Sequence, residues 1–499
     1  MASSFDPPQE TASRQRDRVA AALLGVACLL ALLRLLRLGD WSLWYDEALT
    51  LGDAWHGSGW MPGGGPVHAL GYGLIRAVAS CFGGRPDEFA LRIGPAVAGM
   101  LCVPLTAWAF RPLAGRRAAS FAALLVAVSS WHLYWSQNAR AYTFAQAQTL
   151  LATGVWARGW VRSDRWRCAL GVGLALAASA FHPHAAGIAA GLGLAPFFGG
   201  RGEVPQGGAG ACAAERRRAE RAGFLVLLLG GLLSLPVLAP ALLDYVGKKD
   251  TEVGFVAEAI SGFVHLVTST GFQLTPVLGV AALAGAWLGW RSRPGRVVVM
   301  GTLLPVLGML AVSLWTKVSA QYLFCSLPWA AALAAWPLGT AFLRRGRSAW
   351  VYGGLLVLPA LASCALYFGW RHGERPRWRE AYSYVWSARG EHDLVLGMQA
   401  GLGEYYVDPT FTDVRHPRLV GWCDYKQPHN VLAAAQTDRP LWIVVRPEFL
   451  ELWDPKQRAT LEALLQDQCH LKRRFPVPME GRDLTVLVYH RPGRPVPGS

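Results

Sequence analysis

Charge is scarce in this sequence. Asp, Glu, Lys and Arg supply 16% of its 499 residues, against 53% hydrophobic ones, a balance far more apolar than soluble domains of this length require. Nucleotide-handling signatures are missing as well: there is no G-x-x-x-x-G-K-[ST] phosphate loop and no G-x-G-x-x-G opening a helix after a strand. That disfavours an ATP-driven pump and a cytosolic nucleotide-sugar enzyme. No Cys/His set has zinc-finger spacing, and the internal repeats common in transporters are lacking. Arg14, Arg16 and Arg18 precede the first apolar run, but no small-residue cleavage site follows it. The run therefore reads as an uncleaved signal anchor with its N-terminus in the cytoplasm.

What the chain has instead is a succession of apolar stretches long enough to cross roughly 30 Å of hydrocarbon, about eleven by that criterion. They lie near 19–38, 90–110, 118–136, 140–158, 168–181, 184–199, 222–243, 273–290, 297–315, 321–342 and 348–369. The fold class expected is an α-helical polytopic membrane protein. With the first helix running outward, arginine blocks such as Arg111, Arg116 and Arg117, or Arg344, Arg345 and Arg347, fall on the inner side. This holds if 66–82, an apolar segment interrupted by Gly71, Gly73 and Arg76, lies in the interface rather than crossing. The first external loop is then 39–89.

The net charge of +15 follows from these cytoplasmic arginines, which also attract anionic lipid, and calls for no nucleic acid. After about residue 371 the composition becomes soluble. Helical and strand patterns alternate there, at 378–389, 393–398, 441–446, 455–468 and 484–489, so 1–370 is expected as the membrane domain and 371–499 as a small external α/β domain. Cys423 and Cys469 both fall in that domain, where an oxidising compartment would allow a disulfide.

Directly after the first apolar run stands Trp41-Ser42-Leu43-Trp44-Tyr45-Asp46-Glu47. A charged group beside hydrocarbon needs a partner or a task, which makes Asp46 the leading catalytic candidate. Glu47 either assists catalysis by orienting an acceptor or caps the turn that follows. An outward-facing enzyme without nucleotides must draw activated groups from a donor in the membrane. Sugar transfer from a lipid phosphate needs a base for the acceptor hydroxyl and cations for the departing phosphate. Arg140, on the outer side against the loop charge rule, is the leading phosphate ligand. Lys317 and the pair Lys248 and Lys249 are further cations from external loops. His182 and His184 straddle Pro183 where two spans meet, placed to contact acceptor, phosphate or a metal. A single carboxylate base attacking in line inverts the anomeric centre, whereas retention wants a second carboxylate.

The motif Leu43-Trp44-Tyr45-Asp46-Glu47-Ala48, with Phe89-Ala90-Leu91-Arg92-Ile93 and Ser136-Gln137-Asn138-Ala139-Arg140-Ala141-Tyr142, resembles the family 39 glycosyltransferases of the GT-C superfamily. That group includes protein O-mannosyltransferases and lipid A aminoarabinose transferases. The resemblance extends through Gln321-Tyr322-Leu323 to Trp378-Arg379 and covers nearly the whole chain. It implies a polyprenyl-phosphate-sugar donor, a catalytic aspartate in the first external loop, and transfer on the outer face of a cytoplasmic membrane to a glycan, lipid or protein acceptor. It also implies donor-phosphate contacts from Gln137, Tyr142, Gln321 and Tyr322, beside Arg140 and Lys317, with Asn138 as an acceptor or phosphate contact. Two positions depart from it: relatives often carry an acid at Asn138 and an arginine at Gln321. The first puts a bound metal in question, so a divalent metal ion is left open as cofactor. A lipid-linked glycan flippase and an inactive scaffold are the alternatives from other classes.

Overall fold

The structure is a computed structural model that describes residues 9–56, 69–198, 209–247, 255–313, 318–339, 347–411, 414, 418, 421–423, 437–451, 453–479 and 482–493. Lys317 and the pair Lys248 and Lys249 lie outside the described residues. Helix dominates up to residue 369, in the order α1 (Gln9–Ala31), α2 (Tyr45–His56), α3 (Ala69–Ser80), α4 (Glu88–Val128), α5 (Ser130–Ser136), α6 (Tyr142–Arg162), α7 (Arg165–Ala177), α8 (Ala186–Phe198), α9 (Ala209–Gly247), α10 (Phe255–Leu274), α11 (Pro276–Gly289), α12 (Arg293–Ser313), α13 (Leu327–Ala335) and α14 (Arg347–Gly369).

Local chemistry sets their ends. Asp87 caps α4 by accepting the Ala90 amide at 2.8 Å, and Asp164 caps α7 by accepting the amides of Trp166 and Arg167, the short acceptor side chain satisfying donors that a helix start leaves orphaned. Within α4 the path breaks at Gly115, whose φ of 79° is open to glycine and strained for other residues.

Helix runs through each of the eleven expected stretches, but among the described residues five helices are long and apolar enough to cross a membrane, or six when Ile260–Gly271 and Pro276–Gly289, bent by 98°, count as one span. The difference has a physical source. Helices such as α7 and α8 have 13 residues each, short of the ~20 needed to span hydrocarbon alone, and α4 runs unbroken through two of the expected spans apart from its kink. With 12 residues, α3 is likewise too short to cross.

The C-terminal part adds α15 (Trp378–Ala388), β1 (Leu394–Met398), α16 (Ala400–Val407), β2 (Gly421–Cys423), β3 (Leu441–Val445), α17 (Pro447–Leu450), α18 (Pro455–Gln468), β4 (His470–Phe475), β5 (Pro478–Met479), β6 (Arg482–Asp483) and β7 (Val486–Arg491). Five strands form one sheet in the order β2-β1-β3-β7-β4. β1 is parallel to β2 and β3, while β7 is antiparallel to β3 and β4. The unbroken apolar run Leu441-Trp442-Ile443-Val444-Val445 is buried throughout because β3 is central. This sheet also corrects the expected disulfide. Cys423 ends one edge strand and Cys469 leads into the other, so four strand spacings of about 4.8 Å separate them, well beyond the span of a disulfide. Cys469 is a buried free thiol.

One apolar core fills the helical body; a second is shared by the first loop and the C-terminal part, joining Leu43, Leu51 and Ile75 to Trp378, Tyr382 and Tyr405. Polar contacts fix the same junction. The Leu43 amide donates to Tyr406 Oη at 2.6 Å, Tyr405 Oη donates to the Pro86 carbonyl at 2.8 Å, and Arg379 pairs with the buried Glu88.

Candidate functional site

The first turn of α2 carries both acidic residues, and its anchor is Glu47. This carboxylate is fully buried and accepts five bonds. Arg92 Nε and Nη2 reach Oε1 and Oε2 at 2.7 Å each, Arg375 Nε lies 3.4 Å from Oε2, and the amides of Ala139 and Trp44 donate at 2.8 and 3.2 Å. The Trp44 bond is the return half of a capping box, a third-position Glu reaching back to the residue before the helix. Burial opposes the charge on Glu47, but the two guanidiniums outweigh it and hold its carboxyl below the usual range. Both arginines are completely buried and bond further acceptors: Arg92 the carbonyls of Leu38, Trp41 and Ser42, Arg375 the carbonyls of Gly373 and Gln137 and the Tyr367 hydroxyl. Glu47 thus ties together the start of α2, the 137–140 turn, α4 and the segment after α14. It does not line the cavity described next, so the structure seats it as a positioning residue rather than as a partner in contact with substrate.

Asp46, one residue earlier, lines a cavity of about 380 Å³. Its walls include Trp44 and Tyr45 from the same turn, Tyr134, and Glu374, Trp378, Gln399 and Arg446 from beyond the helical body. Burial raises the Asp46 carboxyl above its ordinary value, against the pull of Arg140. Arg140 is half-buried behind it, with Nη1 donating to Tyr72 Oη at 2.7 Å, to Thr50 Oγ1 at 3.1 Å and to the Asp46 carbonyl at 3.4 Å. One carboxylate therefore stands between a guanidinium on one side and an open volume on the other.

The remaining expected residues divide into two groups. Tyr142, His182, His184 and Tyr322 come together: the Tyr142 ring stacks on His182 at 4.6 Å and on His184 at 5.5 Å, and Tyr322 lies 5.9 Å from His182. The charge of Arg140 is felt at both tyrosines, which places this aromatic group on its side of Asp46. Gln321 lies on the same 3-10 turn as Tyr322, Ala320–Ser326. Gln137 does not join them. It is buried with its Nε2 on the carbonyls of Arg34 and Leu36, at 3.2 and 2.7 Å, and its Oε1 accepts from Tyr367 Oη at 2.9 Å. The expected phosphate contact is thus corrected to a brace between α5 and the end of α1. Asn138 is fully buried, and among the described residues neither its Nδ2 nor its Oδ1 is bonded, an orphaned amide of the kind that awaits a ligand or water. Among the described residues no three His, Cys, Asp or Glu side chains gather to hold a metal ion.

Comparison with solved structures is informative at the level of fold. The archaeal oligosaccharyltransferase AglB from Archaeoglobus fulgidus, in complex with an inhibitory peptide and a dolichol-phosphate, matches with a TM-score of 0.53 and 12% identity, over 87% of this chain and 70% of its own. The chain has the GT-C fold. ArnT from Cupriavidus metallidurans bound to undecaprenyl phosphate also matches, with a TM-score of 0.47 and 14% identity, over 94% of this chain and 97% of its own. No family model matches the chain, and no curated protein matches it by sequence.

Within this GT-C fold several site residues escape a reading of the sequence alone. Arg92 is the charge that intrudes into the opening of an apolar span, and a buried guanidinium there announces a buried carboxylate partner. Arg375 carries no such signal, since it sits in a stretch rich in arginine. Gln399 and Arg446 are the first polar residues after the apolar runs that form β1 and β3, a pattern that marks a strand end and, once the strands prove parallel and adjacent, a ligand-facing edge.

Proposed function

We propose that the chain is an integral membrane glycosyltransferase that moves a sugar from a polyprenyl-phosphate-linked donor to an acceptor glycan, lipid or protein. In this reading Asp46 is the general base: it takes the acceptor hydroxyl proton as the oxygen attacks the anomeric carbon, while the bond to the lipid phosphate breaks and Arg140 stabilises the phosphate that leaves. The observation that carries the reading is the placement of Asp46, aimed at a cavity, backed by Arg140 and anchored by its neighbour Glu47. The GT-C fold supports it, as does the dolichol-phosphate in the solved oligosaccharyltransferase AglB of like fold.

Tyr142, Tyr322, His182 and His184 line the donor side, with Gln321 and Asn138 in contact range of lipid phosphate or acceptor. The second carboxylate on the cavity wall, Glu374, is tied to Arg371 at 3.4 Å, and Glu47 is locked between two arginines. Neither is offered as a covalent nucleophile, which favours inversion. The arginine-rich loops argue for reaction on the extracytoplasmic face of the cytoplasmic membrane.

Glycan and lipid profiling of cells with wild-type protein, Asp46→Asn protein or none, at matched membrane levels, tests this. One surface sugar lost in both the null and the variant is the result expected. Full rescue by Asp46→Asn rejects the assignment.

A further inference from the structure

Two parallel strands of the C-terminal sheet end on the Asp46 cavity. β1 and β3 lie side by side, and the residue directly after each, Gln399 and Arg446, lines the cavity opposite Asp46. The carboxyl edge of parallel strands is where α/β sheets take ligands, because side chains and helix starts converge there. Both residues hold unused bonding capacity at this edge. Arg446 Nε and Gln399 Oε1 are buried with no partner among the described residues, a state that carries a desolvation penalty unless a ligand relieves it. Gln399 is also held at a φ of 55°, strained for a residue with a side chain.

Among the described residues two guanidiniums of this wall are bonded to a single carboxylate, with Asp483 and Glu374 as further acids whose charge they feel. The Arg446 side chain is 4% exposed, and its one carboxylate, Glu448, is shared with Arg482, whose Nε reaches it at 2.8 Å. Arg482 lines the same cavity and is half in solvent. Burial, with Arg482 alongside, pushes the Arg446 guanidinium down to about 9.

We infer that this wall is an acceptor-side subsite for an anionic group, a carboxylate or a phosphate, carried on a hydroxyl-bearing molecule: Arg446 and Arg482 take the anion and Gln399 Oε1 accepts from a hydroxyl. The subsite rests on the proposed transferase reading in one respect, that its ligand is the acceptor activated by Asp46. The anion is a handle here, set apart from the hydroxyl that reacts.

The test is titration of the detergent-purified full-length chain with glucuronate, glucose 6-phosphate and glucose, followed by saturation-transfer NMR. At least one of the two anions binds at least tenfold more tightly than glucose, and which one separates a carboxylate handle from a phosphate handle. Arg446→Gln removes that preference, and Arg482→Gln, an exposed change that the fold tolerates, weakens it several-fold. The inference is overturned if glucose binds as well as the anions, if anion binding survives both arginine changes, or if no anion binds up to about 10 mM, near the weak limit of specific recognition. Anion binding in a chain whose Asp46→Asn variant rescues cellular glycans would keep the subsite and reject the transferase; loss of glycans without anion binding would do the reverse.

Discussion

Asp46 and Glu47 share one helical turn, yet they sit in opposite physical worlds. Glu47 is sealed between Arg92 and Arg375 with every lone-pair direction used, and its charge is stabilised by what surrounds it. Asp46 borders open volume, is largely buried, and has its proton affinity raised by that burial. A rigid, satisfied carboxylate beside a restless one is how a reactive group is held still without being neutralised: the strain-free anchor fixes the backbone, and the neighbour keeps its capacity for chemistry.

The sharpest way to break the comparison is to exchange the consequences of the two residues. Asp46→Asn lowers transfer by about 10²- to 10⁴-fold, the usual contribution of a general base, with no shift in the thermal unfolding midpoint of the purified protein. A variant that keeps turnover, or loses stability instead, would move Asp46 into the anchor class. Glu47→Ala does the opposite. It strands two buried guanidiniums and destabilises the fold by about 3–5 kcal/mol, read as loss of monodisperse protein and a lower midpoint in detergent. Wild-type stability in that variant would mean the clamp is ornamental.

A smaller effect is expected behind Asp46. Arg140→Ala removes charge-assisted bonds worth about 1.5–3 kcal/mol, so the donor KM rises about 10- to 100-fold while acceptor KM stays put. An unchanged donor KM and kcat would release Arg140 from the phosphate and leave it as the brace of Tyr72 and Thr50.

The gentlest test uses pH alone. The Asp46 carboxyl is raised, so as pH falls from neutral it is protonated first and the acid limb of kcat/KM lies above the ordinary carboxylate range of about 4. Glu47 is depressed, so the stability it contributes is present above its unfolded-state value and is lost as pH falls through its lower folded value. Activity should therefore disappear while the fold persists, and coincident loss of both would erase the distinction between the two residues.

The helical, apolar character of the body was legible in the sequence, because long apolar runs are local signals; the boundary near 371 and the weight on Asp46 are readings of composition and of a stray charge. Arg140 and the Tyr142, His182, His184 and Tyr322 group were legible as candidates, though only folding shows that they stack together. Glu47 was half-legible: its capping geometry lies within three residues, whereas its arginines come from 45 and 328 positions away. Gln137 misled because a polar side chain in an interfacial motif looks the same whether it meets a ligand or a carbonyl. The excluded disulfide had the same cause, since strand order is not written in the spacing of cysteines. Span number is harder to read, because apolar stretches such as 168–181 and 184–199 fold into helices shorter than a bilayer is thick.

The second core, in which Leu43 and Ile75 pack with Trp378 and Tyr405, makes the first loop and the last quarter of the chain a single piece of masonry. A chimera that grafts a foreign C-terminal sheet onto this membrane body would leave α2 and α3 with an apolar face and no wall to meet it. Exchange between relatives should therefore succeed only when residues 39–89 travel together with everything after 371, which makes two segments distant in sequence one unit of inheritance.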